Sequence, residues 1–418
     1  MNMDFADGMR AAMRLIQSNK LMEATRVIQG ALSGRERSRA PAEQGSPARA
    51  IEGPVIDLTA EVVETGVMNV PAGGASIAPG LSLPPSAAVW ATHIGDMVTA
   101  HRDLDLPRFN LDALKVARPT RIVDVPDGAQ FLSRSFACAA GSRDYKLYIP
   151  RHLPKGGRAL LVMLHGGTQD GDDFAVGTRM NERAEEHGFI VAYPSQTKGA
   201  NASLCWNWFM PEHQKRGAGE PSIIAGITRE IVGGYDIDPD RVFVAGLSAG
   251  GAMAAVMAAT YPEMYAAIGV HSGLPYRSAT DLPSAFAAMR GDAGPLRWRR
   301  SRKLRGAAAD TPRMRTIVFH GDADNIVHPS NAAGIVGASK AGERIERSEA
   351  RSSDGRTCTR TIIRDQSGEA VVEDWLLHGS GHAWSGGSAD GSYTDPFGPD
   401  ASREILRFFF ESSGDRRP

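Results

Sequence analysis

Three short apolar runs, residues 159–164, 242–245 and 316–319, show no alternation of polar and apolar side chains. A strand with one face in water alternates, so runs of this kind belong to a sheet covered on both faces. Further strand-like runs lie at Tyr145 to Ile149, Phe189 to Tyr193, Ala267 to Val270 and Val371 to Leu377. Helix-period segments fall between them, at about 178–187, 221–233, 249–260, 283–290, 330–339 and 400–411. This order predicts an open, mainly parallel sheet wrapped by helices, the α/β class. Reacting groups then belong on loops leaving the C-terminal ends of strands.

The α/β pattern covers residues 126–413, followed by a polar tail, 414–418. Upstream, Phe5, Met9, Met13 and Ile16, then Leu21, Ala24, Ile28 and Leu32, recur at helical spacing. They predict a helical arm over residues 1–32, either docked on its own chain or held out to a partner. Residues 33–125 read as a largely irregular linker and transitional segment. Pro41, Pro47, Pro54, Pro71, Pro79, Pro84 and Pro85 are too frequent there for a packed element.

Charge and cysteine content exclude several classes. The 47 Lys and Arg residues nearly cancel 48 Asp and Glu, which favours small or neutral substrates over nucleic acid or an anionic membrane. The most basic segment, Arg297 to Arg305, reads as a solvated face; phosphate or nucleic-acid binding is the alternative, without an accompanying motif. Cys138, Cys205 and Cys358 have no C-x-x-C spacing, so zinc and dithiol chemistry are not indicated and at most one disulfide is expected. The sequence has neither a run of about 18 apolar residues for a membrane span nor a secretory h-region. It therefore reads as not classically exported, which favours the cytoplasm.

The chemical motifs fall at the ends of the strand-like runs. After Val242 to Ala245 comes Gly246-Leu247-Ser248-Ala249-Gly250-Gly251, then a helix of small residues. Strand, tight turn and helix in this order form a nucleophile elbow, with Ser248 at its tip. After Thr316 to Phe319, the segment His320-Gly321-Asp322-Ala323-Asp324 offers Asp324 as the acid that orients a histidine, with Asp322 left for local turn hydrogen bonds. A metal reading of His320, Asp322, Asp324 and His328 is the alternative. After Leu377, the glycine-flanked loop His378-Gly379-Ser380-Gly381-His382 offers His382 as general base and His378 as a structural residue. Ser248, Asp324, His382 is the chain order of α/β hydrolases.

The run Leu161 to Leu164 enters His165-Gly166-Gly167-Thr168-Gln169. Amides of Gly167 and Thr168, with that of Ala249, are the candidate oxyanion hole; His165 is expected to brace the loop. Trp206 and Trp208, in Cys205-Trp206-Asn207-Trp208-Phe209, and Trp384 either grip an apolar substrate or belong to the core.

These residues resemble the polyhydroxybutyrate depolymerase-like esterases, a family that includes feruloyl and acetylxylan esterases. The likeness covers roughly 140–412. It rests on Gly141 to Pro150, His165 to Gln169, Tyr193-Pro194, Cys205 to Trp208, Gly246 to Met253 and Gly381 to Gly387. It implies an α/β-hydrolase fold and cofactor-free hydrolysis of esters in short-chain polyhydroxyalkanoates or their oligomers, with carbohydrate esters as the alternative. A reading of another class is a non-catalytic granule-binding protein with a vestigial hydrolase domain. Where the family commonly reads His-Gly-Cys-Thr-Gln, this chain has Gly167, so a partner for Cys205 is missing; the family's export signal is missing too. Both departures point toward an intracellular setting.

Overall fold

The computed structural model describes residues 121–292, 314–339, 344–351 and 356–411. The helical arm, most of the linker, the basic run and the polar tail lie outside the described residues.

Twelve strands are described: β1 (Gln130–Cys138), β2 (Gly141–Ile149), β3 (Arg158–Leu164), β4 (Ile190–Pro194), β5 (Ile237–Leu247), β6 (Ala267–His271), β7 (Arg315–Gly321), β8 (Arg344–Arg351), β9 (Thr357–Arg364), β10 (Ala370–Leu377), and the short β11 (Trp384–Ser385) and β12 (Thr394–Asp395). Ten build one sheet in the order β1-β2-β4-β3-β5-β6-β7-β10-β9-β8. From β4 to β10 all neighbours run parallel. Antiparallel strands close both flanks.

The helices are α1 (Gly171–Thr178), α2 (Met180–His187), α3 (Gly219–Gly234), α4 (Ala249–Thr260), α5 (Leu282–Met289), α6 (Ser330–Ser339) and α7 (Ala401–Phe410). They cover both faces, which is why the central strands lack polar alternation. In β3, Leu160, Val162 and Leu164 join a cluster with Ile224 of α3 and Met253 of α4. The intervening Leu161 and Met163 join another with Phe174 of α1 and Phe408 of α7.

All seven predicted strands are present, six of them longer than expected. The expected helix at 178–187 is α2, which starts at Met180 because left-handed Arg179 (φ 56°) separates it from α1, a helix not expected from the sequence. Strands β1, β8 and β9 and the two-residue β11 and β12 lie outside the predicted runs. Edge strands such as Arg344–Arg351 are rich in charge, which discourages pairing with other chains but hides the strand signal.

The sheet order reverses at β3, whose outgoing connection leads to β4 on one side while β5 lies on the other. Such a switch point opens a crevice at the carboxyl ends of the strands.

Candidate active site

Ser248 joins β5 to α4 at φ 56°, ψ −117°, a region that is strained for a residue with a Cβ. Two glycines make the turn sterically feasible. A Cβ on Gly246 would run into the backbone of Gly250, and one on Gly250 would overlap the Leu164 carbonyl oxygen of β3. The Ser248 amide donates to the His271 carbonyl at 2.9 Å, tying the elbow to β6.

Asp324 follows β7 and is buried. Its Oδ1 accepts from the amides of Ile326 and Val327 at 2.9 and 2.8 Å, and its Oδ2 lies 2.7 Å from His382 Nδ1. Burial works to raise the Asp324 pKa, but the hydrogen bond and charge of His382, aided by His320 and the Val327 amide, outweigh it and hold the carboxyl below its usual range. The acid is thus ionised and its bond fixes His382 as the Nδ1–H tautomer, leaving Nε2 to accept a proton.

The loop carrying His382 is fastened at its root. His378 Nδ1 lies 2.9 Å from Asp322 Oδ2, and the Gly379 amide donates to Asp322 Oδ1 at 2.7 Å. His320 Nε2 donates to the Val327 carbonyl at 2.7 Å, and His328 meets Ser330. Of the four side chains of the alternative metal reading, only His320 and Asp324 approach each other, Nε2 to Oδ2 at 3.5 Å, and among the described residues no group of three or more such side chains converges.

His165 braces its loop from within. Its Nδ1 donates to the Gly166 carbonyl at 2.7 Å, and its Nε2 accepts the Gln196 amide at 3.0 Å. Thr168 departs from expectation: its amide already donates to the Ser203 carbonyl at 2.7 Å. Its backbone is left-handed, φ 66°. Gly167 and Ala249 remain as candidates and both line the cavity beside Ser248; Ala249, first in α4, has no carbonyl a turn earlier to bond. Gln169, not singled out from the sequence, holds this loop. Its Oε1 accepts from the Gly166 amide at 2.9 Å, and its Nε2 donates to Asp173 and to the Ser392 carbonyl, both at 3.0 Å.

Ser248, Ala249, Gly167 and His382 line one cavity of about 110 Å³. Trp208 lines it as well. Trp206 and Trp384 do not: both are fully buried, Trp206 against His165 and Trp384 against Phe174 and His271, with its indole N–H on Ser402. A large apolar body gains more from the core than from water, so these two serve packing. Tyr393, which carried no motif signal, also lines the cavity; its ring meets His382 edge-on and its hydroxyl lies 3.3 Å from Thr168 Oγ1.

Cys205 is a lining residue too, but burial, helped by Glu220, pushes its thiol up to about 12, so it stays protonated at neutral pH. Cys138 and Cys205 are free thiols. A Cβ built on Gly167 would lie 3.8 Å from Cys205 Cβ, a separation typical of disulfides.

The model of the esterase PHB depolymerase family matches residues 143–351, half of the chain. The chain belongs to this family. Among curated members and relatives, it is 32% identical over 247 residues to poly(3-hydroxyalkanoate) depolymerase C of Paucimonas lemoignei, a match covering 58% of this chain and 59% of that protein. It is 35% identical over 192 residues to feruloyl esterase B of Neurospora crassa, covering 44% and 64% respectively. The match thus spans less than two thirds of each relative. The acetyl xylan esterase of Aspergillus awamori aligns with a TM-score of 0.53 and 23% identity over 67% of this chain and 98% of that one, a likeness of fold. No helix among the described residues is long and apolar enough to cross a membrane.

Proposed function

We propose that this esterase-family chain is a serine esterase that hydrolyses carboxylic esters through an acyl-enzyme, with short-chain polyhydroxyalkanoates or their oligomers as substrate. One observation carries the reading: a strained serine, a histidine held by a buried carboxylate, and the residues Gly167 and Ala249 line one cavity.

In this mechanism Ser248 Oγ attacks the ester carbonyl while His382 Nε2 takes its proton. The resulting oxyanion is held by the amides of Gly167 and Ala249, the latter at the positive end of α4. As the tetrahedral intermediate collapses, the carbon–oxygen bond to the alcohol breaks and His382 returns the proton to the leaving alkoxide. Water then attacks the acyl-enzyme, giving its proton to His382, and the acid departs as Ser248 is reprotonated. His382 remains ion-paired to Asp324 during the two steps in which it is charged.

The likeness to feruloyl esterase B and to acetylxylan esterases supports a second reading, a carbohydrate esterase. The test is turnover of hydroxybutyrate oligomers, p-nitrophenyl butyrate, methyl ferulate and acetylated xylan by wild type and Ser248→Ala. Preference for the oligomers, lost in the variant by roughly 10⁴-fold or more, is expected. Preference for ferulate or xylan would move the reading to carbohydrate esters, and a folded wild type inactive on all four would replace it with a binding role.

A further inference from the structure

One wall of the cavity beside Ser248 is a single helix face. Leu282, Ala285, Phe286 and Met289 of α5 line it at positions i, i+3, i+4 and i+7. Ala285 is buried and the three larger side chains are half-buried. The rest of the lining is also mainly apolar, including Leu274, Ile326 and Val327, and no Lys, Arg, Asp or Glu is part of it. Of its polar members, Gln169 is spent on Gly166 and Asp173, His382 on Asp324 and Tyr393 on Thr168, while the Ser203 hydroxyl has no partner among the described residues; none of them belongs to the α5 wall. A charged or hydroxyl-rich acyl group would lose its hydration along this wall without replacement.

The wall is fixed rather than hinged. Asp281 and Ser284 form a capping box at the start of α5. At its other end the His328 amide donates to the Met289 carbonyl at 2.7 Å, and Asn331 Nδ2 donates to the Ala288 carbonyl at 2.9 Å. Helix α5 is thereby anchored to the segment that leaves Asp324. The volume of about 110 Å³ is small beside the roughly 300–1,000 Å³ of drug-sized ligand pockets.

We propose that this face of α5 is the gauge that sets acyl-chain length, and that the cavity accepts a short, uncharged aliphatic acyl group. The inference rests on Ser248 being the esterase nucleophile. It ranks Phe286 and Met289 as the side chains that stop a longer chain, and Ala285 as the place where added bulk would shorten the pocket.

The test is kcat/KM on p-nitrophenyl acetate, butyrate and octanoate for wild type, Phe286→Ala, Met289→Ala and Ala285→Val, with melting curves for each. In wild type, octanoate is expected to trail butyrate by at least about tenfold. Phe286→Ala or Met289→Ala should raise the octanoate-to-butyrate ratio by at least about tenfold. Ala285→Val should move the other way, lowering the butyrate-to-acetate ratio roughly threefold or more. A wild type indifferent to chain length, or variants that leave these ratios unchanged, would overturn the gauge while leaving the esterase reading intact. A folded wild type that cleaves none of the esters would overturn the esterase reading itself.

Discussion

Asp324 gives one carboxylate oxygen to His382 Nδ1 at 2.7 Å and the other to the backbone amides of Ile326 and Val327. The orientation of the histidine therefore descends from main chain at the exit of β7 and not from another flexible side chain. Asp324→Asn keeps the backbone bonds but can present an N–H to His382 Nδ1, which selects the wrong tautomer. The expected result is a fall in kcat of about 10,000-fold on p-nitrophenyl butyrate, with an unchanged circular dichroism spectrum.

Gln169 touches no reacting atom in the proposed mechanism, yet it bonds the Gly166 amide and ties that loop to Asp173 and Ser392. It is a positioning residue for the Gly167 amide. Gln169→Ala should lower kcat on the order of 10- to 100-fold, less than loss of a full oxyanion donor, with KM little changed. Steady-state kinetics on one ester separates the two parameters.

His271 is fully buried between Phe319 and Trp384, and accepts the Ser385 amide on Nε2 at 3.0 Å. Burial, with His320 and His382 nearby, lowers its pKa from 6.5 to about 3. Burial also lowers that of His320. Between these limits the unfolded chain binds a proton at His271 that the folded chain refuses, so stability falls as pH drops below about 6.5 and is unaffected by this group above it. Each such histidine contributes a slope of up to about 1.4 kcal/mol per pH unit. Denaturant titrations from pH 8 to 4 should show this loss, and His271→Gln should reduce the slope.

Gly167 faces Cys205 at the distance a disulfide requires. Gly167→Cys should therefore cross-link to Cys205 under oxidising conditions. The bond is expected to stabilise the fold by about 2–4 kcal/mol, read as a rise in midpoint that dithiothreitol reverses.

The central sheet was legible because burial on both faces leaves unbroken apolar runs, and the elbow because its glycines are forced by backbone contacts. Asp324 and His382 were legible because each lies just past a predicted strand. Other features are tertiary. Nothing local distinguishes Trp208, which meets the cavity, from Trp206 two residues away in the core. The Thr168 amide was assigned to the oxyanion from its place in the loop, and only the folded chain brings the Ser203 carbonyl to it. Tyr393 and the α5 face acquire their roles solely from what packs beside them. Strand β8 is hard to read because a charged edge strand has little apolar pattern, and β9, paired on both sides, because Thr and Arg make up five of its eight residues.

The most direct test of Ser248 as an activated nucleophile is labelling with an alkyl fluorophosphonate, followed by peptide mass spectrometry, on wild type, Asp324→Asn and Ser248→Ala. One adduct on the Ser248 peptide of wild type, formed much more slowly in Asp324→Asn and absent in Ser248→Ala, is the expected result. An unlabelled folded wild type, or an adduct that persists on another residue in Ser248→Ala, would contradict the account.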